Sequence, residues 1–370
     1  MNIEMKNKHG SANSTPKGLL GYWAAQEQYS MHDLLEYTQE AERVGFETMM
    51  TSDHFHPWWH DNAFGNFTWV WMAAAAERTE RMQFVTGITA PIYRYHPAII
   101  AQAFASLDVL YPGRMGLGLG TGEALNEVPL GFDWTRPKTR LKRTKEAIQI
   151  IKSLWGENVS TGNNCSKDRD GFLDYNGEYF LIRKAKLYTP PGNRIPLYMA
   201  SSGPESAKVA AKYSDGLITY LKPEEAKDAL SAFDSEVKKQ GRASEGLEKL
   251  AEFKVSFAED YDRAFESTKF WRATLVKNVF NSDIGDPRKL EEKAKREVPD
   301  EKLAQAIKVT TSIEDCIKPL EEYFRAGFTR VYVHSTSPDE INFLHAFSKK
   351  VLPHFEKTDT SLEETKASAA

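Results

Sequence analysis

Apolar residues along this chain keep two alternating periods. Short strand-like runs at 18–25, 48–52, 82–89 and 114–119 are each followed by a segment with helical apolar spacing, at 31–44, 67–78, 96–110 and 140–155. Stop signals agree, with Gly45 closing the first helix and Pro112-Gly113 the third. Between 156 and 191 the rhythm breaks. A polar stretch there passes into aromatic-rich residues 172–189, with Tyr175-Asn176-Gly177-Glu178 as a hairpin turn signal, and reads as an insertion. Strand and helix then resume at 195–200 and 204–213, at 216–220 and 223–239, and at 252–257 with a long helical region to 280. A charged helical segment at 287–308 and a helix at 312–326 precede the strand 330–334 and a closing helix at 339–351.

About eight strand–helix units predict an α/β fold, a (β/α)₈ TIM barrel with insertion segments. The alternative is a doubly wound open sheet, which alternates in the same way. Its dinucleotide fingerprint is missing: in Gly116-Leu117-Gly118-Leu119-Gly120-Thr121-Gly122 the last glycine of G-x-G-x-x-G would fall on Thr121 or Glu123. One barrel domain is expected over 18–356, with the insertion at about 156–191 and flexible tails at 1–17 and 357–370.

Composition narrows the function. The 370 residues carry a net charge of -4, which leaves no nucleic-acid footprint. Cys165 and Cys316 are far apart, so neither a disulfide framework nor a zinc site is expected, and a reducing cytoplasm fits. No secretory h-region is visible, and the longest apolar run, 69–76, is too short to span a bilayer.

In a barrel the strand C-termini collect the reacting groups. Ser52-Asp53-His54-Phe55-His56-Pro57-Trp58 follows one such strand and joins an acid, an imidazole and an indole. Pro57 restricts both itself and His56, so the loop is expected to be well defined. His54 suits a general base, since imidazole titrates near neutrality; a hydrogen-bonded surface or core histidine is the other reading. Asp53 would point the other way on extended backbone, so its use as the group orienting His54 depends on the loop. His56 and His60 keep weaker company, and no metal is expected. Glu123 reads either as an acid near the barrel axis or as the first acid of the next helix. Ser201-Ser202-Gly203-Pro204 opens a helix, as a phosphate site or as a plain cap. Glu27, Gly87-Ile88-Thr89, Thr121-Gly122, Asn126, Thr219, Lys222 and His334 fall at the other strand ends.

Three motifs, the His54 loop, Gly120-Thr121-Gly122-Glu123-Ala124-Leu125-Asn126-Glu127 and Tyr95-His96-Pro97-Ala98-Ile99-Ile100-Ala101-Gln102-Ala103-Phe104-Ala105, together resemble the luciferase-like flavin and deazaflavin superfamily. The likeness is to its branch of coenzyme F420-dependent glucose-6-phosphate and secondary alcohol dehydrogenases, over about 18–355. It implies a barrel with coenzyme F420 in its mouth, and usually a homodimer. His54 matches the base that takes the substrate hydroxyl proton as hydride leaves for the deazaflavin C5. Glu123 matches the acid that protonates the reduced ring, and Trp58 the indole walling the substrate pocket. Glu27 matches a further polar pocket residue. Gly87-Ile88 falls where the family has a cis peptide without proline, and Ser202 and Gly203 where a helix start receives the coenzyme phosphate. Asp53, Thr121, Gly122 and Asn126, at the same strand ends, are read as coenzyme contacts.

On substrate the pattern departs from the sugar-phosphate enzymes, which grip phosphate with three cations. Lys222 stands for the first with a one-residue gap, while the second falls on Asn281 and the third on Ala306, neither charged. Lys308, Lys277 and Arg272 are nearby substitutes. The continuation His60-Asp61-Asn62-Ala63 is nearer to the secondary alcohol enzyme. The expectation is an F420-dependent dehydrogenase oxidising a small alcohol to a carbonyl. A sugar-phosphate dehydrogenase, an FMN-dependent monooxygenase and a binding barrel without turnover are the alternatives.

Overall fold

Every barrel strand here is short and covered on both faces, which is why its residues read as nearly continuous apolar runs. The structure is a computed structural model describing residues 18–355; the expected tails lie outside the described residues. The strands are β1 (Leu19–Ala24), β2 (Thr48–Thr51), β3 (Gln83–Thr86), β4 (Met115–Leu119), β5 (Cys165–Lys167) and β6 (Leu173–Asn176). They continue as β7 (Leu181–Ala185), β8 (Leu197–Ala200), β9 (Gly216–Thr219), β10 (Glu248–Phe257), β11 (Lys308–Thr310) and β12 (Arg330–Ser335). Eight of them pair in parallel in the order β10-β12-β1-β2-β3-β4-β8-β9, and β9 returns to β10 to close the ring. This is the expected TIM barrel.

Successive residues divide between two cores. Trp23, Met50, Val85, Tyr198, Ile218 and Tyr332 fill the barrel. Tyr22, Met49, Phe84, Leu117, Leu197 and Val331 pack into the larger core that includes the surrounding helices. The glycine run on β4 serves this packing. A Cβ at Gly118 would sit 1.9 Å from the Thr86 carbonyl oxygen, so β3 and β4 approach only because that position is bare.

The insertion forms its own antiparallel sheet, β5-β6-β7. Its predicted turn is present: the Gly177 N–H donates to Phe180 O at 3.0 Å. Buried Glu146, on the helix Pro137–Leu154, anchors it by accepting the backbone N–H groups of Glu178, Tyr179 and Phe180 at 2.8, 3.0 and 3.2 Å.

Three sequence expectations change. β10 starts four residues early, because Glu248–Ala251 pair with Gly216–Thr219 despite their charged, strand-poor sequence. The region expected to be helical up to 280 is helical only over Tyr261–Thr268, then continues as 3₁₀ turns Lys269–Leu275 and Val279–Asn281. The charged segment 287–308 breaks at Pro299 into helices Pro287–Glu297 and Asp300–Ala306, and Lys308 already belongs to β11. Proline lacks the N–H a continuous helix would need there. This crossover between β10 and β12 covers part of the barrel mouth.

Candidate active site

His54 stands just past the end of β2, its side chain 9% exposed. Its Nδ1 lies 3.2 Å from the His56 carbonyl oxygen, so the neutral ring carries its proton there and leaves the Nε2 lone pair free. Nε2 is 3.5 Å from Glu27 Oε1, an oxygen with no hydrogen-bond donor among the described residues. The other Glu27 oxygen accepts from Ser52 Oγ at 2.6 Å. A proton taken up at Nε2 would therefore sit beside a fixed carboxylate. Trp58, buried, lies against the imidazole with ring centroids 5.3 Å apart.

Glu123 occupies the N-cap position of the four-residue helix Ala124–Glu127, but its side chain makes no cap bond. Its carboxylate accepts from Asn126 Nδ2 at 3.0 Å and faces the mouth. Asn126 Oδ1 in turn accepts the Phe55 N–H at 2.7 Å. One buried amide thus ties the loop of the base to the loop of the acid.

Asp53 points away from His54, as extended backbone predicts, and corrects the sequence reading in that it does not border the cavity. Its carboxylate accepts from Thr89 Oγ1 at 2.7 Å, from Arg94 Nη2 at 3.2 Å and from Tyr95 OH at 3.3 Å, all on the β3 loop. Adjacent residues on extended backbone face opposite sides, and here Glu27 is the carboxylate that meets the histidine. Arg94 continues to Glu127, whose Oε2 accepts the Arg94 backbone N–H at 2.9 Å. Burial pushes the Glu127 carboxyl up to about 7; Arg94 opposes this, while Glu123 and Asp53 reinforce it.

A cavity of about 530 Å³ opens at the mouth, and Glu27, His54, Trp58, Gly87, Ile88, Glu123 and Lys222 all border it. The Gly87–Ile88 peptide is cis. Asn126, Thr121, Gly122, Ser202 and Gly203 stand outside its lining. Gly203 is the N-cap of the helix Pro204–Tyr213, where an added Cβ would meet open space. Beside it, buried Ser201 Oγ has no partner among the described residues, and neither do Trp23 Nε1 and Tyr220 OH at the mouth. Buried polar atoms left bare together are what a polar ligand's site shows.

Across the mouth the wall is mixed, an aromatic and apolar patch set among charged residues. Phe280 meets Trp58 edge-on at 5.6 Å, beside Leu275, Ala306 and Ile307. Asn281 is turned away, accepting from buried Arg140 at 3.0 Å. Of the substitute cations, Arg272 is committed to Asp300 and the Val298 carbonyl. Lys277 does not border the cavity; Lys308 does, as does Lys254, which sequence reasoning missed. Lys222 donates to Gln305 O at 2.6 Å. Lys254 pairs with Glu252, which accepts from His334 Nδ1 at 2.6 Å. Burial would push the Glu252 carboxyl up, but Lys254 and His334 hold it at about 2; burial pushes His334 down. No group of three or more His, Cys, Asp or Glu placed to hold a metal occurs among the described residues.

Fold and mouth together define a TIM-barrel protein with an imidazole and two carboxylates, His54, Glu27 and Glu123, set around one cleft. The chain belongs to the luciferase-like monooxygenase family, whose model matches residues 9–330. It is 35% identical over 341 residues to an F420-dependent glucose-6-phosphate dehydrogenase of Microbacterium testaceum, covering 91% of this chain and 97% of the relative. A protein of the same name from Mycolicibacterium fortuitum is 36% identical over 344 residues, covering 91% and 98%. Among solved structures, an F420-dependent secondary alcohol dehydrogenase in complex with an F420-acetone adduct superposes with a TM-score of 0.84 at 35% identity, covering 92% of this chain and all of that one.

Proposed function

We propose that this protein is a coenzyme F420-dependent dehydrogenase that oxidises the carbinol carbon of a small alcohol to a carbonyl. The observation that carries the reading is the free His54 Nε2 facing Glu27 in a cavity that also holds Glu123 and the cis Gly87–Ile88 peptide. When bound, the deazaflavin supplies the carbon that accepts hydride. The residues present fit such a group: Trp23 Nε1 and Tyr220 OH offer bare polar atoms at the cleft, and Ser201, Ser202 and Gly203 offer an open helix start for a phosphate. Thr121 and Gly122 would border the coenzyme through backbone, and Asn126 would act by bracing Glu123.

The donor hydroxyl binds between His54 and Trp58. His54 Nε2 takes its proton, and Glu27 Oε1 stabilises the resulting imidazolium. Glu123, oriented by Asn126, is the second proton-exchanging group at the mouth. The patch of Phe280, Leu275 and Ala306 suits the uncharged body of a small alcohol, and neither Asn281 nor Ala306 supplies a cation for a phosphate.

A sugar phosphate is the second reading, favoured by the names of the curated relatives and by Lys222, Lys254 and Lys308 on the cavity. The test is bleaching of the visible absorbance of oxidised F420 with isopropanol or with glucose 6-phosphate. Bleaching with isopropanol alone supports the alcohol reading; with the sugar phosphate alone, the lysines replace the clamp. Protein that binds no F420 would overturn the reading and bring FMN forward.

The chain is further inferred to act as a cytoplasmic homodimer. Both cysteines are free. Among the described residues no helix is long and apolar enough to cross a membrane. Neighbouring helices Thr68–Glu77 and Pro97–Leu110 expose Val70, Ile99, Val109 and Leu110, a face suited to a second copy. Sedimentation velocity reads the assembly directly.

A further inference from the structure

The mechanism above uses His54 and Glu123 but leaves a buried charge cluster beneath them unexplained. We propose that Arg94 is a positioning residue, a strut that fixes the loop of the base against the loop of the acid through Asp53 and Glu127. The inference rests on His54 and Glu123 being the proton-transfer pair of the proposed function.

The geometry is specific. The Arg94 side chain is 4% exposed and lies between two carboxylates that are 2% and 0% exposed. Its Nη2 donates to the Asp53 carbonyl oxygen at 2.5 Å and to Oδ1 at 3.2 Å. Its backbone N–H donates to Glu127 Oε2, and its Nε faces Glu127 Oε1 across 4.0 Å. Neither of those last two atoms has a hydrogen-bond partner among the described residues. Asp53 is bonded to His54 in the chain, and Glu127 ends the short helix that Glu123 begins. Each carboxylate is therefore within four residues of a reacting group. The strut comes from a third loop, after β3, which also supplies Thr89 and Tyr95 to Asp53.

Arginine suits this place for a physical reason. Its planar guanidinium bonds the Asp53 carbonyl and carboxylate while its fixed charge lies 4.0 Å from Glu127, whereas a lysine ammonium is a point donor. Removing it would leave two buried carboxylates sharing no cation, and the loops would separate to rehydrate them. The contact that would break first is the Phe55 N–H bond to Asn126 Oδ1, the direct tie between the loops. A cluster that merely stabilised the barrel would loosen the strands instead.

The experiment is amide hydrogen exchange and steady-state kinetics on wild type, Arg94→Gln, Arg94→Lys and Arg94→Ala, the last with and without added guanidinium. Expected in Arg94→Gln is faster exchange at Phe55 by at least about tenfold, with β8 and β9 amides unchanged. Its kcat should fall about 10- to 100-fold while KM moves less, as small misplacement of reacting groups predicts. Guanidinium should restore both in Arg94→Ala, and Arg94→Lys should fold but recover only part. Unchanged exchange at Phe55 in a folded variant would overturn the strut, as would loss of protection spread evenly through the strands. Should Arg94→Gln fail to fold, Arg94→Lys decides by the same two readouts. If the wild type oxidised no alcohol, the functional reading would fall while the exchange at Phe55 still judged the strut.

Discussion

The two sides of the barrel mouth are built differently. On the β1–β4 side the loops after the strands are bonded to one another: Glu27 to Ser52, Phe55 to Asn126, Asp53 to Thr89 and Arg94. On the β9–β11 side the wall comes from the long crossover after β10, which presents Trp271, Leu275, Phe280 and Ala306. There Lys254 pairs with Glu252, and Lys222 donates to the Gln305 carbonyl. On the proposed function, the first side would fix where protons go and the second what fits against them. A change on the first should lower the rate for every donor, and a change on the second should alter which donor is preferred.

The largest effect belongs to the first side. His54→Ala removes the only imidazole bordering the cavity among the described residues. Its kcat/KM should fall by about 10²–10⁴ for any donor, with F420 affinity, read by fluorescence titration, little changed. Equal losses from a substitution on the opposite wall would erase the distinction between the sides.

A buried glutamate on each side gives the next test. Glu127 has its carboxyl raised to about 7 and Glu252 has its held at about 2. A raised carboxyl contributes stability that is complete below its unfolded value near 4.5 and lost as pH climbs through 7. A depressed one contributes stability above 4.5 that is lost as pH falls towards 2. The Glu127 shift corresponds to about 3 kcal/mol. Glu127→Gln should therefore flatten part of the fall in thermal midpoint between pH 5 and pH 8. Part of that fall remains because Glu340, buried and bonded to Tyr22 and Tyr29, is also raised to about 7. Glu252→Gln should lower the midpoint evenly along that limb without changing its slope, and rejoin wild type only as pH falls towards 2. Unfolding midpoints across the pH range that show the same change for both variants would contradict the assignment.

Ala306→Arg sharpens the donor side. One charge-assisted contact is worth about 1.5–3 kcal/mol, so the ratio of kcat/KM for glucose 6-phosphate over isopropanol should rise about 10- to 100-fold. Ala306 is the cleaner position because Asn281 is already committed to Arg140. A ratio that stays put, with the variant folded, would mean that the phosphate does not approach this wall.

The same division explains what could be read from the chain alone. Strand–helix alternation is local periodicity, which a sequence displays, while His54, Glu123, Trp58 and Gly87–Ile88 lie in short motifs legible through the family resemblance. The strut could not be read that way. Arg94 meets residues 41 and 33 positions away, Asp53 and Glu127, and nothing about a lone arginine announces two buried partners. That Asp53 points away from His54 was legible, because neighbours on extended backbone face opposite sides, but that Thr89, Arg94 and Tyr95 would hold it was not. On the donor side the crossover was misread at Pro299, where a charged, helix-rich run conceals a break and a strand. Lys254 was missed because its strand is recognised by apolar residues while its inward face is charged.

Phe280→Ala carries the smallest effect and the most direct test of separateness. Phe280 is 42% exposed and touches Trp58 edge-on, so truncation removes an aromatic pair worth about 0.5–1.5 kcal/mol. Arg140 holds this residue by its backbone carbonyl at 3.3 Å, so the turn should survive loss of the ring. None of the hydrogen bonds to His54, Glu27 or Glu123 involves it. With the donor identified by the bleaching assay, KM should therefore rise about 2- to 10-fold, the kinetic equivalent of that energy, while kcat stays within about twofold. If kcat fell as far as KM rose, Trp58 would be transmitting the loss to His54, and the wall that chooses the donor would also be setting the geometry of the base.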